Sequence, residues 1–357
     1  MSGFWGNKLK ISIFGESHGK GIGITVDGLE SGFSVDFDEV QREMERRAPG
    51  RNSMSTARKE GDKVEIMSGY FNEKTTGTPL CGVIFNQDTK SKDYTTQQIL
   101  MRPGHADYPG HLRYNGFNDY RGGGHFSGRI TAPIVFAGAI CKQLLQAKGI
   151  EVVSHIKAIG EVEDKQIDYC SIDIEEFKKA QSKEMAVLDD EALLKMKDKI
   201  LEVKQQEDSI GGVIECAIIG VPGGVGNPFF DSVESTIAHL AFSVPAVKAI
   251  EFGKGFDITK LTGSKANDEY YYEGDVVKTN TNNNGGITGG ITNGMPIIFR
   301  VGIKPTPSIY KEQDTINIST KTNDKLKIVG RHDPCIVQRA VPVIEAIAAI
   351  GIYDLIK

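Results

Sequence analysis

A chain of 357 residues with 39% apolar and 25% charged side chains carries enough hydrophobic material for a sizeable core, which excludes a disordered or fibrous chain. The formal net charge of -5, a pI near 5.9 and a single tryptophan argue against a nucleic-acid-binding protein. The five cysteines, Cys81, Cys141, Cys170, Cys216 and Cys335, form no C-x-x-C pair. They argue against a disulfide framework and a zinc site, and read as reduced core residues. Residues 1–10 lack the basic-then-apolar pattern of a secretory signal. No uncharged run approaches the roughly 18 residues needed to span a bilayer, so a cytoplasmic protein with no membrane partner is expected.

In chain order, residues 9–14 alternate and are rich in isoleucine, which predicts a strand ending at Gly15, and residues 21–26 predict its antiparallel return. Ser17 and His18 then stand at the hairpin tip. Residues 36–47 have an acidic first turn and a basic end, the order that suits a helix dipole, and Pro49-Gly50 should stop the helix. Strands are expected over 64–67 and 80–85, with a turn near 75–79. Residues 133–147, 232–243 and 340–356 are apolar, alanine-rich and long enough for buried helices. Further strands are expected over 213–219 and 295–301. Residues 189–207 predict a charged amphipathic helix presenting Leu193, Leu194, Met196, Ile200, Leu201 and Val203.

Strands and helices do not alternate strictly, which weighs against a doubly wound parallel sheet and points to an α+β fold. One domain over 1–357 is expected, with a charged helical excursion at about 161–208. That excursion holds 15 acidic and 8 basic side chains, so the rest of the chain is net +2. A strand, a glycine-rich loop and an aspartate-led helix occur after Gly23 and again after Gly212, an echo that suggests internal duplication.

Three segments set a histidine beside glycine, proline or arginine: Phe14-Gly-Glu-Ser-His-Gly19, Arg102-Pro-Gly-His-Ala-Asp107 and Gly330-Arg-His-Asp-Pro334. Glycine and proline shape turns, while histidine, arginine and aspartate move protons and bind anions, so the three predict one pocket. The run Tyr120-Arg-Gly-Gly-Gly-His-Phe-Ser-Gly-Arg129 precedes a buried helix, and consecutive glycines expose backbone N–H groups to an anion. It matches neither a Walker loop nor G-x-G-x-x-G. Two more glycine- or proline-rich loops, 282–294 and 304–308, suit a phosphate or a polar ring edge. Arginines cluster near these loops, which favours an anionic small ligand. His155 and His239 lie in apolar surroundings and read as structural. No metal site is expected, because no histidine pair has ligand spacing.

Taken together and in this order, the Phe14, Arg102, Arg-Gly-Gly-Gly, Lys304-Pro-Thr-Pro-Ser308 and Gly330 motifs resemble those of the chorismate synthase family over the whole chain. The resemblance implies a carbon–oxygen lyase of the shikimate pathway, serving aromatic amino acid biosynthesis. Its reaction converts 5-enolpyruvylshikimate 3-phosphate to chorismate and phosphate by trans 1,4-elimination. It implies reduced FMN as cofactor with no net redox change, a β-α-β sandwich with core helices between antiparallel sheets, and a homotetramer. Substrate contacts are implied for Arg47, Arg102, Arg129, Arg331 and His18. Flavin contacts are implied for His125, Phe126, Ser127, Pro245, Ala246, Gly289, Lys304, Pro305, Thr306, Pro307, Ser308 and Arg331. In that scheme His18 assists the leaving phosphate, His105 stands by the reduced flavin, Asp333 helps flavin N5 take the substrate proton, and Ser17 and Ser127 complete a relay. The chain departs from the family run where His125, Phe126 and Gly128 replace Arg, Ser and Ala, and where Ser53 replaces an arginine that Arg51 could substitute. No separate nucleotide-binding domain is evident, so an external flavin reductase, with NADPH as indirect reductant, is expected. The rival readings are a phosphatase with His18 as nucleophile and a single-stranded nucleic-acid binder using the glycine run.

Overall fold

The computed structural model describes residues 3–50, 61–86, 98–328 and 332–357. The chain begins with β1 (Phe4–Trp5), β2 (Lys10–Gly15) and β3 (Gly21–Asp27). Helix α1 (Phe37–Arg47) is capped by the Asp36 carboxylate, which accepts from the Asp38 and Glu39 amides. β4 (Glu65–Ser68), a short hairpin of β5 (Tyr70–Phe71) and β6 (Lys74–Thr75), and β7 (Leu80–Phe85) complete the first region. The first sheet is antiparallel, in the order β1-β2-β3-β7-β4.

A short α2 (Asp107–Arg113) leads through the glycine run into α3 (Thr131–Gln146), which is buried on nearly every face. β8 (Glu151–Ile159) and β9 (Val162–Glu163) follow, then the charged excursion with α4 (Ile174–Gln181) and α5 (Asp190–Gln205). β10 (Gly212–Ile219), α6 (Val233–Ser243), β11 (Val247–Phe252) and α7 (Gly263–Ala266) come next. Hairpins β12–β13 (Tyr270–Glu273, Val276–Thr279) and β14–β15 (Ile287–Thr288, Ile291–Thr292) precede β16 (Ile297–Ile303). β17 (Gln313–Asn317), β18 (Thr322–Leu326) and α8 (Val337–Ile356) close the chain. The second sheet is also antiparallel, in the order β11-β16-β10-β8-β9.

The α+β expectation holds, and the two long helices decide how the halves meet. α3 touches β3 and β7 of the first sheet, α8 touches β8 and β10 of the second, and the helices pack on each other. Close approach is allowed by Gly138, where a Cβ would collide with Ala346. Their apolar faces join both sheets in one core around Phe136, Leu144, Ile347 and Tyr353. The two strands of the internal echo, β3 and β10, are each third of five in their sheets, and each is followed by a helix with a polar N-cap, Asp36 or Ser232.

Several expectations are corrected. His239 is exposed on α6, not held in an apolar environment; His155 is fully buried on β8. The inward face of α5 is Ala192, Met196, Ile200 and Val203, a spacing that leaves Leu194 and Leu201 facing solvent. The strand expected over 295–301 runs two residues later, since Pro296 cannot donate to the ladder. Cys141, Cys216 and Cys335 are buried, but Cys81 and Cys170 are only partly so. No helix among the described residues is long and apolar enough to cross a membrane.

Candidate active site

The site grows from the tip of the β2–β3 hairpin. The Ser17 amide donates to the Gly124 carbonyl at 3.1 Å, pinning the tip to the glycine run, and both Ser17 and His18 are buried. Gly122, Gly123 and Gly124 all adopt positive φ, at 59°, 84° and 53°. Space as well as conformation demands glycine here. A Cβ on Gly122 would strike the His18 ring, and one on Gly123 would stand 3.0 Å from His105 Cε1 and 3.2 Å from its Nε2. The run therefore lies between the two histidines, bringing together residues almost ninety positions apart.

His105 is held by its own turn. Its Nδ1 lies 2.7 Å from Asp107 Oδ1 and 3.1 Å from Arg102 Nη2. A carboxylate can only accept, so the shorter contact places a proton on Nδ1 and leaves Nε2 toward Gly123. Arg102 grips the same carboxylate through its amide, Nε and Nη2. Burial alone would raise the Asp107 carboxyl; the hydrogen bonds from Arg102 and His105 outweigh it and hold it far below the usual carboxylate range.

On the other side of His18, Asn86 uses its whole amide. Nδ2 donates to the carbonyls of Glu16 and Gly19, each at 3.0 Å, while Oδ1 accepts from Arg129 Nε at 3.2 Å. The histidine turn and Arg129 are thereby fixed to one another. Arg129 and Arg47 share the Asp62 carboxylate: Arg47 Nη2 bonds Oδ2 at 2.5 Å, and Arg129 Nη1 bonds Oδ1. Arg47 also approaches Thr131 Oγ1 at 3.5 Å, and its carbonyl accepts from Arg339 Nε at 3.1 Å. Arg339 pairs with Asp333. Burial lowers Arg47 to about 10 despite Asp62, helped by the like charges of Arg339 and Arg129. For Asp62, burial acts upward but the two guanidinium groups overcome it, and the carboxyl is lowered.

The 304–308 loop closes the far wall. Lys304 Nζ donates to the Gly104 carbonyl, and the Lys304 amide donates to the Ala246 carbonyl at 2.9 Å. Ala246 takes φ of +75°, a left-handed backbone that costs a non-glycine residue of order 1 kcal/mol. Ser209 Oγ donates to the Thr306 carbonyl at 2.7 Å, and the Ile210 amide donates to the Pro334 carbonyl at 2.8 Å. The His332 and Tyr310 rings lie 5.8 Å apart. Burial, with Arg102 nearby, lowers His332 to about 4 against the opposing pull of Asp333, so its ring is neutral at pH 7. Thr306 Oγ1, His332 Nε2 and Ser17 Oγ are buried with no hydrogen-bond partner among the described residues.

The structure therefore joins Ser17, His18, Arg47, Arg102, His105, Ser127, Arg129, Asp333, Pro245, Ala246 and residues 304–308 into one connected region. Ser127 caps the turn leading to α3, its Oγ accepting from the Arg129 amide at 3.3 Å. His125 Nδ1 contacts the Gly15 carbonyl at 2.8 Å, and the Phe126 ring packs against Gly110 and Tyr114 near α2. Gly289 stands apart in the β14–β15 hairpin, beside the residues that follow β10, whereas Lys304 follows the opposite end of β16. Seven strand residues put roughly 20 Å between those ends. Arg331, Arg51 and Ser53 lie outside the described residues. Sequence reasoning missed Asp62, Asn86 and Arg339 as site residues, since each is an ordinary polar residue in its local sequence.

Comparison with known proteins agrees over the whole length. The family model described as chorismate synthase matches residues 9–356. A chorismate synthase of Dehalococcoides mccartyi is 44% identical, with 99% of this chain and 96% of the relative covered. One from Pyrococcus abyssi is 44% identical over 98% of this chain and 96% of its own length, and one from Methanocaldococcus jannaschii is 42% identical over 98% and 95%. A solved structure described as the crystal structure of chorismate synthase superposes with a TM-score of 0.77 at 29% identity, covering 98% of this chain and 92% of the other.

Proposed function

The chain belongs to the chorismate synthase family of shikimate-pathway lyases, and from that premise we propose that it converts 5-enolpyruvylshikimate 3-phosphate to chorismate and phosphate by trans 1,4-elimination, with reduced FMN bound. The observation that carries this reading is the glycine run that lies between His18 and His105 beside the buried Arg47 and Arg129. Such a substrate carries two carboxylates and a phosphate, and so much charge enters a dry site only against fixed guanidinium groups.

His18, pinned with Ser17 by Gly124, is assigned the proton that the departing phosphate requires. Ser17 Oγ, buried beside it and without a hydrogen-bond partner among the described residues, is suited to pass that proton. His105 keeps its Nε2 toward the glycine run because Asp107 occupies Nδ1. Asp333, held by Arg339, is assigned to the proton taken from the substrate. Ser127 is assigned to the same relay.

For the flavin, residues 304–308 with Pro245 and Ala246 form the proposed seat. Thr306 Oγ1 and His332 Nε2 are buried polar atoms with no partner among the described residues, as expected of groups that await a polar ligand. When bound, reduced FMN supplies electron density that weakens the C–O bond and recovers it, with no net redox change. Arg331 is proposed to bridge flavin and substrate, and His125 and Phe126 to border the flavin. The exposed Phe229, Phe230, Phe256 and Tyr270 to Tyr272 support a homotetramer, and Gly289 is proposed as a further flavin contact. Reduction by an external flavin reductase, with NADPH as its source, completes the proposal.

The test is an anaerobic assay with 5-enolpyruvylshikimate 3-phosphate and chemically reduced FMN. Chorismate and phosphate should appear together, and only with flavin present. Chorismate without flavin, or none at all, overturns the reading.

A further inference from the structure

The two guanidinium groups assigned above to substrate anions are already engaged. Asp62 bonds Arg47 through one carboxylate oxygen and Arg129 through the other, and Asp62, Arg47 and Arg129 are 3%, 2% and 6% exposed. Its backbone sits at φ +44°, uncommon for a residue other than glycine, so its placement is specific rather than a relaxed loop conformation. Among the described residues, one carboxylate thus holds both guanidinium groups, while the neighbouring Arg339 pairs with Asp333. Among the described residues, the buried Arg47 Nε has no hydrogen-bond partner. An incoming phosphate or carboxylate that engages both guanidinium groups would share them with Asp62, and two anions crowded on one pair of cations repel.

We infer that Asp62 is a resident counter-anion: it occupies the place of one anionic group of the ligand, yields it on binding, and thereby sets how tightly the site holds simple anions. This rests on the reading of Arg47 and Arg129 as substrate contacts. Without that carboxylate, both buried guanidinium groups would lose the oxygen that bonds them, which destabilises the unliganded protein. With one on a tether, every ligand anion binds against a competitor of very high local concentration. A lone phosphate, the chemical class of the released product, gains only this exchange. A ligand with further anions gains additional contacts at Arg102, so Asp62 favours the polyanionic substrate over free phosphate.

The test is calorimetric titration of inorganic phosphate into the full chain, comparing wild type with Asp62→Asn and Asp62→Glu. Asp62→Asn should bind phosphate at least tenfold more tightly, about 1.4 kcal/mol. Asp62→Glu should stay within about threefold of wild type. Adding Arg129→Ala to Asp62→Asn should abolish the gain, which locates the phosphate at this pair. Because Asp62→Asn weakens the unliganded protein, its thermal melting is followed as well, and phosphate should raise its Tm more than that of wild type. Phosphate affinity unchanged or weaker in Asp62→Asn, or a Tm that phosphate raises no more than in wild type, overturns the inference. If wild type makes chorismate while the phosphate comparison fails, this inference alone falls. If wild type makes no chorismate, the proposed function falls, whatever the phosphate result.

Discussion

Arg46 and Arg47 are consecutive residues near the end of α1, both withdrawn from solvent, yet their surroundings differ in kind. Arg46 enters a closed set of charges: it bonds Glu43 at 2.7 Å and Glu345 at 2.7 and 3.0 Å, and Lys142 bonds the same two carboxylates at 2.9 Å each. Ser154 and Gln181 fill the remaining acceptor positions of Glu345. Two cations meet two anions across α1, α3 and α8. Burial works against the Arg46 charge, but Glu345 and Glu43 outweigh it and raise its pKa. Among the described residues, Arg47 faces two cations, Arg129 and Arg339, for one anion, Asp62; its Nε has no partner there, and burial lowers it to about 10. A balanced cluster locks helices together; an unbalanced one receives an anion. Burial alone distinguishes neither, because the decisive quantity is the count of opposite charges within reach.

The largest test of that contrast is Glu345→Ala, which leaves Arg46 and Lys142 uncompensated in the core. Urea unfolding should show a loss of about 3–5 kcal/mol, while the KM of the folded enzyme stays near that of wild type. A loss below about 1 kcal/mol would mean that the cluster contributes little. The acid side adds a sign check. Burial raises the Glu345 carboxyl, but Arg46 and Lys142 bring it from 4.5 down to about 2. Its contribution is therefore fully present above 4.5 and is lost as pH falls toward 2, and Glu345→Ala should lack that part of the acid dependence.

On the receptive side, His105→Ala should slow turnover about 100- to 10,000-fold, with a much smaller change in KM, as removal of a general acid-base group typically does. An unchanged kcat would remove its role. Asn86→Ala should reduce kcat/KM about tenfold by freeing the His18 turn from Arg129, a loss near the 1.4 kcal/mol of one or two hydrogen bonds. Asn86→Asp retains the acceptor for Arg129 but opposes two carbonyl oxygens, and it should not restore activity. Equal kcat/KM in wild type and Asn86→Ala would show that the two elements hold their places without the amide.

The smallest expected effect concerns a third buried group, His155, set between Asp164 at 2.7 Å and Glu215 at 3.1 Å. Burial opposes its charge, but hydrogen bonds to the two carboxylates prevail and raise its pKa above 6.5. Its stabilisation is complete below 6.5 and declines as pH rises through the folded value. Unfolding measured at pH 6 and pH 9 should show a decline that His155→Gln lacks; parallel pH curves would contradict it.

Much of the fold was legible because its signals are local. Asp36 as a cap, the acidic first turn of α1 and the alanine-rich stretches of α3 and α8 each specify an element from a few neighbouring residues. β8 was not recognised, since a strand buried on both faces shows no alternation. The hairpins β12–β13 and β17–β18 were missed for the opposite reason: their mostly exposed residues have no apolar face to repeat.

The site divides in the same way. Turn chemistry marked His18, His105 and the glycine run, because glycine and proline report backbone shape wherever they occur. Asp62, Asn86 and Arg339 left no such mark. The sequence by itself determined a mixture of strands and buried helices and the residue types that handle protons and anions. Only the tertiary structure decided which cation meets which anion, setting Arg46 in a closed cluster and Arg47 in an open one. The physical reason is range: capping and turn preferences act over a few residues, whereas Asp62 reaches Arg129 and Arg46 reaches Glu345 only after the chain has folded back across two sheets and three helices.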